Sequence, residues 1–234
     1  AAAVGMVGYG NLSEAQGDAM GREVGTLLGG EAVKAVAAAN SANKSQPVIT
    51  QLPQGKLVGL VAQPVNVLDK NCCVDMYLQV GPYTVTEAAL LEVLEQSISE
   101  VFFDTLRTKR QLGYSVSCSK RETGGILGFN FKVVSSSHRA ETVLGAIVEF
   151  IHRIPEMLSE MSDDDWKSHV KAACSNLLAQ PTSLRDAADN VWSEIDDRTY
   201  RFDSHAREAE EAARIKREEL CKFVQDVLLD TAKS

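Results

Sequence analysis

Arg107 and Tyr114 have the residue types and the spacing best suited to chemistry in this sequence. A neutral tyrosine donates a hydrogen bond through its phenol, and an arginine supplies a fixed positive charge. Two such groups directed at a scissile carbonyl would stabilise the oxyanion that forms there and hold the peptide backbone. Arg107 falls in the last turns of a predicted helix and Tyr114 opens a predicted strand. Both side chains would therefore project from a helix-to-strand junction.

Each of the two residues also has a purely structural interpretation. A cation in the last turns of a helix interacts favourably with the helix dipole, and Arg107 is spaced to pair with Asp104 or Glu100. Tyr114 would then be an amphipathic aromatic residue at the edge of a strand. The pattern alone leaves both interpretations open.

Other reactive side chains give weaker signals. The four histidines lack the spacing of a metal site on one helix face: His138, His152, His169 and His205. We therefore predict no metal or other cofactor in this chain. Cys72 and Cys73 would point to opposite faces of a strand and could not chelate together. Cys118 would need a histidine and an orienting group to act as a nucleophile, so we expect a buried, inert thiol.

Composition limits the classes of function. The sequence has 24 basic and 32 acidic residues, a formal charge of −8. This argues against nucleic-acid binding, which needs a basic face. No apolar run approaches the roughly 20 residues that cross a bilayer, so we expect no membrane span. Five scattered cysteines fit a reducing, cytoplasmic compartment better than a disulfide scaffold. The chain starts like a strand entered in its middle, without an initiator methionine, so we expect a piece of a longer polypeptide.

Turn and cap signals divide the first part of the chain into short elements. The predicted strands are Val4–Tyr9, Val48–Leu52, Leu57–Pro64 and Cys72–Val80. Ser13 and Gln16 have the spacing of a capping box, which predicts a helix that ends at Gly29-Gly30.

The second part is predicted to be mostly helical around one hairpin. A long helix starts at Thr84 or Thr86 and ends at Gly113. Its apolar positions are Leu90, Leu91, Leu94, Ile98, Val101, Phe102, Thr105 and Leu106. Strands Tyr114–Arg121 and Ile126–Ser135 flank a Gly-Gly turn. Four later helices are predicted. The first spans His138–Leu158, the second is capped by Ser162, the third is opened by Pro181, and the last spans Lys216–Asp230. We predict an α+β fold, an antiparallel sheet with helices packed on one face, in a single domain over residues 1–234.

The stretch from Phe102 to Val116 resembles, nearly residue for residue, a segment of the insulysin branch of the pitrilysin-type zinc metallopeptidases. In that family the pattern is a phenylalanine, Leu-Arg-Thr-Lys, a charged residue and Gln-Leu-Gly-Tyr. The resemblance continues in collinear order through most of the chain. Further similar stretches lie at residues 8–12, 71–79, 125–131, 161–169, 181–184, 192–195 and 200–203.

The resemblance implies a fold and a role. Family members resemble two bowl-shaped halves, each of two related α+β domains, that close around a peptide. This chain resembles the last, processing-peptidase-like domain, which holds no zinc. The zinc, its His-x-x-Glu-His ligands and the glutamate base would belong to the N-terminal half of the same polypeptide. Arg107 and Tyr114 would complete the catalytic site from across the chamber, and Phe103 would line the pocket or equally be a core residue.

Departures from the family pattern and competing interpretations remain. Arg110 occupies a position that is often acidic. The chain also ends where the family continues into a final strand, so we expect either a sheet short by one strand or a disordered end. A catalytically silent relative, such as a processing-peptidase partner or a respiratory-complex core subunit, is one alternative. A stand-alone peptide-binding module is another. Retention of both Arg107 and Tyr114 favours the peptidase, in which this chain alone would be inactive.

Overall fold

The computed structural model describes residues 7–8, 10–27, 49–53, 58–63, 66, 68–196 and 199–229. The chain divides into two compact units. The small unit comprises Ala1–Ile49 and Gln180–Phe202, and the large unit comprises Thr50–Ala179 and Asp203–Ser234. The assignment of residues 1–234 to a single domain stays a prediction.

Seven α-helices and three strands are formed by the described residues. The helices are α1 (Glu14–Leu27), α2 (Val85–Phe103), α3 (Ala140–Glu160), α4 (Asp163–Leu177), α5 (Leu184–Asp196), α6 (Ser204–Ala212) and α7 (Arg217–Phe223). The strands are β1 (Cys72–Pro82), β2 (Ser115–Thr123) and β3 (Ile126–Ser135). Two π-helical segments continue helices: Asp104–Lys109 follows α2 and Val224–Leu229 follows α7.

The sheet of the large unit is antiparallel, with strand order β1-β3-β2. Gly124 and Gly125 join β2 to β3 with φ angles of 55° and 79°, which glycine adopts without strain in a two-residue hairpin turn. One face of β3 carries four fully buried apolar side chains: Leu127, Phe129, Phe131 and Val133. Each such side chain stabilises the fold by about 1.5–3 kcal/mol.

Helices α2 and α3 cover that apolar face. The ring of Phe102 in α2 packs edge-on against Phe131 at 5.3 Å and against Phe150 of α3 at 5.0 Å, centroid to centroid. The opposite face of the sheet exposes polar side chains that alternate with the buried ones, including Asp75 and Lys132. The predicted α+β class, an antiparallel sheet with helices on one face, is confirmed.

Helix starts were well marked in the sequence. The Ser13 Oγ accepts a hydrogen bond from the Gln16 backbone N–H at 3.3 Å, and the Ser13 N–H donates back to Gln16 Oε1 at 2.9 Å. This is the predicted capping box of α1. Thr84 rather than Thr86 caps α2, and Ser162 caps α4 through the Asp165 N–H at 3.1 Å.

Several predicted boundaries and elements are wrong. Residues 49–53 and 58–63 are not in strands, although Val48–Leu52 and Leu57–Pro64 have a strand-like composition. The Gln79 side chain contacts the first segment: it accepts from the Leu52 N–H at 2.8 Å and donates to the Thr50 carbonyl at 3.2 Å. Leu60 is 94% exposed, so the second segment has no apolar surface against which to pack.

Other differences concern the start of the chain and the start of α5. Val7 and Gly8 are not in a strand, and the other residues of the predicted Val4–Tyr9 strand lie outside the described residues. Helix α1 ends at Leu27, and the helix stop predicted at Gly29-Gly30 also lies outside the described residues. Helix α5 begins at Leu184 instead of Pro181, because the Ser183 Oγ accepts the Asp186 N–H at 3.0 Å. None of the helices among the described residues is both long and apolar enough to span a membrane.

Candidate functional site at the α2–β2 junction

The chain leaves α2 through a widened helical turn. From Asp104 to Lys109 the backbone is π-helical, and the Arg110 N–H donates to the Thr105 carbonyl at 3.0 Å, five residues back. The Leu112 N–H then donates to the Leu106 carbonyl at 2.8 Å. Short π-helical turns are rare and are often found at functional sites. Arg107 lies inside this turn.

Gly113 does not end the helix as the sequence suggested. The left-handed residue that redirects the chain is Gln111, with φ 52°. Gly113 instead permits a close approach to β3, since a Cβ at this position would lie 2.4 Å from the Val134 carbonyl oxygen. The Tyr114 N–H donates to the same oxygen at 3.1 Å, which starts the pairing of β2 with β3.

The junction is anchored on both sides of Arg107. Leu106 is fully buried and Leu112 is 6% exposed, so the backbone between them is fixed to the core of the large unit. Several side chains in and beside this segment nevertheless reach the surface. Phe103 is 39% exposed, Tyr114 is 56% exposed, and Arg107 is exposed as well. A rigid backbone thus presents a cation, a phenol and an aromatic ring to the exterior.

Phe103 and Arg107 are in direct contact. The guanidinium carbon of Arg107 lies 4.9 Å from the centroid of the Phe103 ring, a cation–π arrangement. Phe102, not Phe103, is the core residue, so the core interpretation of Phe103 is wrong. Tyr114 lies at the opposite end of the same junction, before the first residue of β2.

Arg107 does not pair with Asp104 or Glu100 as its sequence spacing allowed. The Asp104 carboxylate instead contacts the Lys109 ammonium at 2.7 Å. Among the described residues, the Arg107 guanidinium has no carboxylate within ion-pair distance. No carboxylate in the described part of the chain therefore neutralises its positive charge.

Arg110, the departure from the family pattern, has a structural role. Its guanidinium binds the Glu149 carboxylate of α3 in a bidentate manner, at 2.7 Å and 2.5 Å. Hydrogen bonding from Arg110 lowers the pKa of the exposed Glu149 carboxyl below its ordinary value. The pair ties the end of the π-helical turn to α3, and it leaves the Arg107-to-Tyr114 spacing unchanged.

The other reactive side chains do not form a second site. Burial raises the pKa of the Cys118 thiol to about 12, so this group is not a thiolate near neutral pH. All five cysteines are free thiols. Within the ranges that the structure describes, no group of three or more His, Cys, Asp or Glu side chains is arranged to hold a metal ion.

Two features of the junction were not predicted. The Gly113–Val134 approach joins residues that are distant in sequence, and a glycine after a helix is more often read as a cap. The Asp104–Lys109 pair depends on the π-helical register, because α-helical spacing places partners three or four residues apart. The one local signal was the five-residue separation of Asp104 and Lys109, which does not match the spacing of ion pairs in an α-helix.

Comparison with known proteins identifies relatives of this chain. Residues 93–192 match the family described as PQQ synthase PqqF-like, C-terminal lobe domain 4. A nardilysin-like protein of Arabidopsis thaliana is 35% identical over 182 residues, which is 75% of this chain and 17% of that protein. Human insulin-degrading enzyme is 29% identical over 168 residues, which is 72% of this chain and 16% of that enzyme.

The fold is also found in a solved structure. The crystal structure of pitrilysin superposes with a TM-score of 0.70 at 21% identity, over 94% of this chain and 22% of that chain. This chain spans about a sixth of the length of the curated relatives, at 17% and 16%. The matches all fall in C-terminal lobes. The chain belongs to the pitrilysin family of metallopeptidases and corresponds to a C-terminal lobe domain of that family.

Proposed function

We propose that this chain is the zinc-free last domain of an insulysin-like endopeptidase, and that it supplies Arg107 and Tyr114 to peptide-bond hydrolysis. The observation that carries the proposal is the exposure of both side chains on one anchored junction, where Arg107 has no carboxylate partner among the described residues. A side chain that only stabilised the fold would be expected to have such a partner or to be buried.

The chemistry assigned to each residue follows from its side chain. The Tyr114 phenol donates a hydrogen bond to the carbonyl oxygen of the scissile bond, which becomes an oxyanion as water attacks. The Arg107 guanidinium offers planar donors and positive charge to the adjacent backbone carbonyls of the peptide. Phe103 holds the guanidinium by its ring face and borders the pocket beside the scissile bond. Together these groups bind and orient the peptide.

The proposal requires the N-terminal half of the same polypeptide, closed with this half around the peptide in a chamber. A zinc ion in that half would supply the Lewis acid and the activated water. Among the described residues no group of His, Cys, Asp or Glu side chains is arranged to hold a metal ion, and the contribution that we propose for this chain is substrate binding and oxyanion stabilisation. Five free thiols support a reducing, cytoplasmic compartment.

A catalytically silent domain is the second candidate, since one solved neighbour is titled the inactive domain of a peptidase of this family, with a TM-score of 0.51. A silent scaffold has no need for an Arg107 without a described carboxylate partner together with an exposed Tyr114 phenol on the same junction. The presence of both groups on an anchored junction therefore favours the peptidase.

Metal analysis and cleavage assays of the chain and of the full-length polypeptide distinguish the two candidates. We expect the chain alone to contain no stoichiometric zinc and to cleave no fluorogenic peptide. The full-length polypeptide should contain zinc and should cleave the peptide. In the full-length enzyme, Arg107→Ala should lower kcat/KM by about ten- to a hundredfold, as for loss of a charged hydrogen bond. Chelator-sensitive cleavage by the chain alone, or unchanged kinetics of Arg107→Ala, would overturn the proposal.

A further inference from the structure

The π-helical register brings a second cation within reach of Asp104. In an α-helix the surface neighbours of residue 104 are residues 107 and 108, so Asp104 would face Arg107. In the π-helical turn each backbone hydrogen bond spans five residues, which brings residue 109 onto the same face as residue 104. The observed 2.7 Å contact between Asp104 and Lys109 follows this register.

We infer that Lys109 is a positioning residue that keeps the Arg107 guanidinium free by occupying the Asp104 carboxylate. Three charged groups share this turn, one acid and two bases, and the observed partner of the acid is Lys109. Lys109 pairs with Asp104, and the Phe103 ring contacts one face of the Arg107 guanidinium. The edge of the Arg107 guanidinium, which carries its hydrogen-bond donors, is left for a peptide carbonyl. The identity of this ligand as a peptide carbonyl rests on the proposed function. The inference that the Arg107 guanidinium is free of a carboxylate does not rest on it.

Neighbouring charges do not perform the same task. The Glu149 carboxylate of α3 has its own partner, because Arg110 binds both of its oxygens. Asp104 and Glu149 are thus each paired with a base other than Arg107. The side chains of Lys109 and Asp104 are 68% and 41% exposed, so their interaction is screened by solvent and the expected effects are moderate.

The state of the guanidinium is measured without reference to activity. Phenylglyoxal modifies arginine side chains, and mass spectrometry of the peptide containing Arg107 gives the rate at that residue in the full-length polypeptide. We expect Lys109→Met to slow modification of Arg107 by about two- to fivefold, because Asp104 then turns to Arg107. Asp104→Asn should not slow it, and the double variant should return to the wild-type rate.

A matched control separates this local effect from loss of positive charge in general. Arg110→Met removes a cation from the next position, but its carboxylate partner Glu149 lies on α3. We expect Arg110→Met to leave the Arg107 rate within twofold of wild type. Equal slowing by Lys109→Met and Arg110→Met, or slowing by Lys109→Met that Asp104→Asn does not reverse, would overturn the inference.

Peptide kinetics give the second readout. Lys109→Met should raise KM by about two- to fivefold with little change in kcat, and Asp104→Asn in the same molecule should restore KM. If the labelling results hold while Arg107→Ala cleaves normally, the proposed function fails and the inference about the guanidinium stands. If Arg107→Ala loses activity while Lys109→Met changes neither rate nor KM, the inference fails and the proposed function stands.

Discussion

Gly113 and Val134 fix the position from which Tyr114 enters the sheet. A Cβ on residue 113 would lie 2.4 Å from the Val134 carbonyl oxygen and 2.9 Å from a methyl carbon of the Val133 side chain. The Val134 oxygen also accepts the Tyr114 N–H. A single backbone carbonyl therefore sets both the approach of residue 113 and the start of the strand that follows Tyr114.

Gly113→Ala should destabilise the chain and displace Tyr114. The obstructing atom is backbone, so β2 must shift, and overpacking of this kind costs about 1–3 kcal/mol in the free energy of unfolding. Urea denaturation measures this loss. Gly145→Ala is the matched control, because nothing lies within 4 Å of a Cβ there in α3. That variant should gain about 0.5–1 kcal/mol from helix propensity, and equal stability of the two variants would contradict the assignment.

Phe102 and Phe103 should respond oppositely to truncation. Phe102→Ala empties a fully buried site between Phe131 and Phe150, which should cost about 3–5 kcal/mol. Phe103→Ala should cost about 1 kcal/mol or less, since its ring is at the surface. In the full-length peptidase Phe103→Ala should raise the KM for peptides, because the ring supports Arg107. A large loss of stability in Phe103→Ala would return Phe103 to a core role.

The buried ion pair of Lys120 and Glu208 should dominate charge effects on stability. The ammonium lies 2.8 Å from Glu208 and 3.1 Å from Glu92, and the Tyr83 hydroxyl also donates to Glu208 at 2.9 Å. Lys120→Met leaves the Glu208 carboxylate buried without its cation and should cost about 3 kcal/mol. Lys109→Met, which breaks an exposed pair, is the matched control and should cost less than about 1 kcal/mol. Comparable losses in urea titrations would show that the Lys120 pair is not effectively buried.

The same lysine should make stability depend on alkaline pH. Burial lowers the pKa of Lys120, but Glu208 and Glu92 raise it more, so it lies above the ordinary value of 10.5. A raised folded-state pKa means that the stabilisation is complete below pH 10.5 and is lost as the pH rises through the folded value. Between pH 8 and pH 11 the free energy of unfolding should fall more in the wild type than in Lys120→Met. Parallel falls in both proteins would assign the pH dependence to other groups.

The sequence predicted the sheet and its main helices because their signals are local and periodic. The alternation in β3, the Gly-Gly turn and the cap at Ser162 each depend on neighbours within a few residues. The strands proposed at residues 48–52 and 57–64 failed because strand formation needs a partner edge, which residue types do not reveal. Arg107, Tyr114 and Phe103 were identified through the family resemblance. Their rigid presentation depends on the Gly113–Val134 approach and on the π-helical register, and both are properties of the folded chain.

The turnover number of Tyr114→Phe in the full-length polypeptide tests whether the Tyr114 hydroxyl takes part in peptide hydrolysis. The substitution removes one hydroxyl from an exposed side chain, so folding should be unchanged while the oxyanion loses a donor. We expect kcat for a fluorogenic peptide to fall by about one to three orders of magnitude, with KM changed little. Tyr77→Phe, which removes a hydroxyl from β1, should leave kcat unchanged. A Tyr114→Phe enzyme with wild-type kcat would contradict the account and remove Tyr114 from the mechanism.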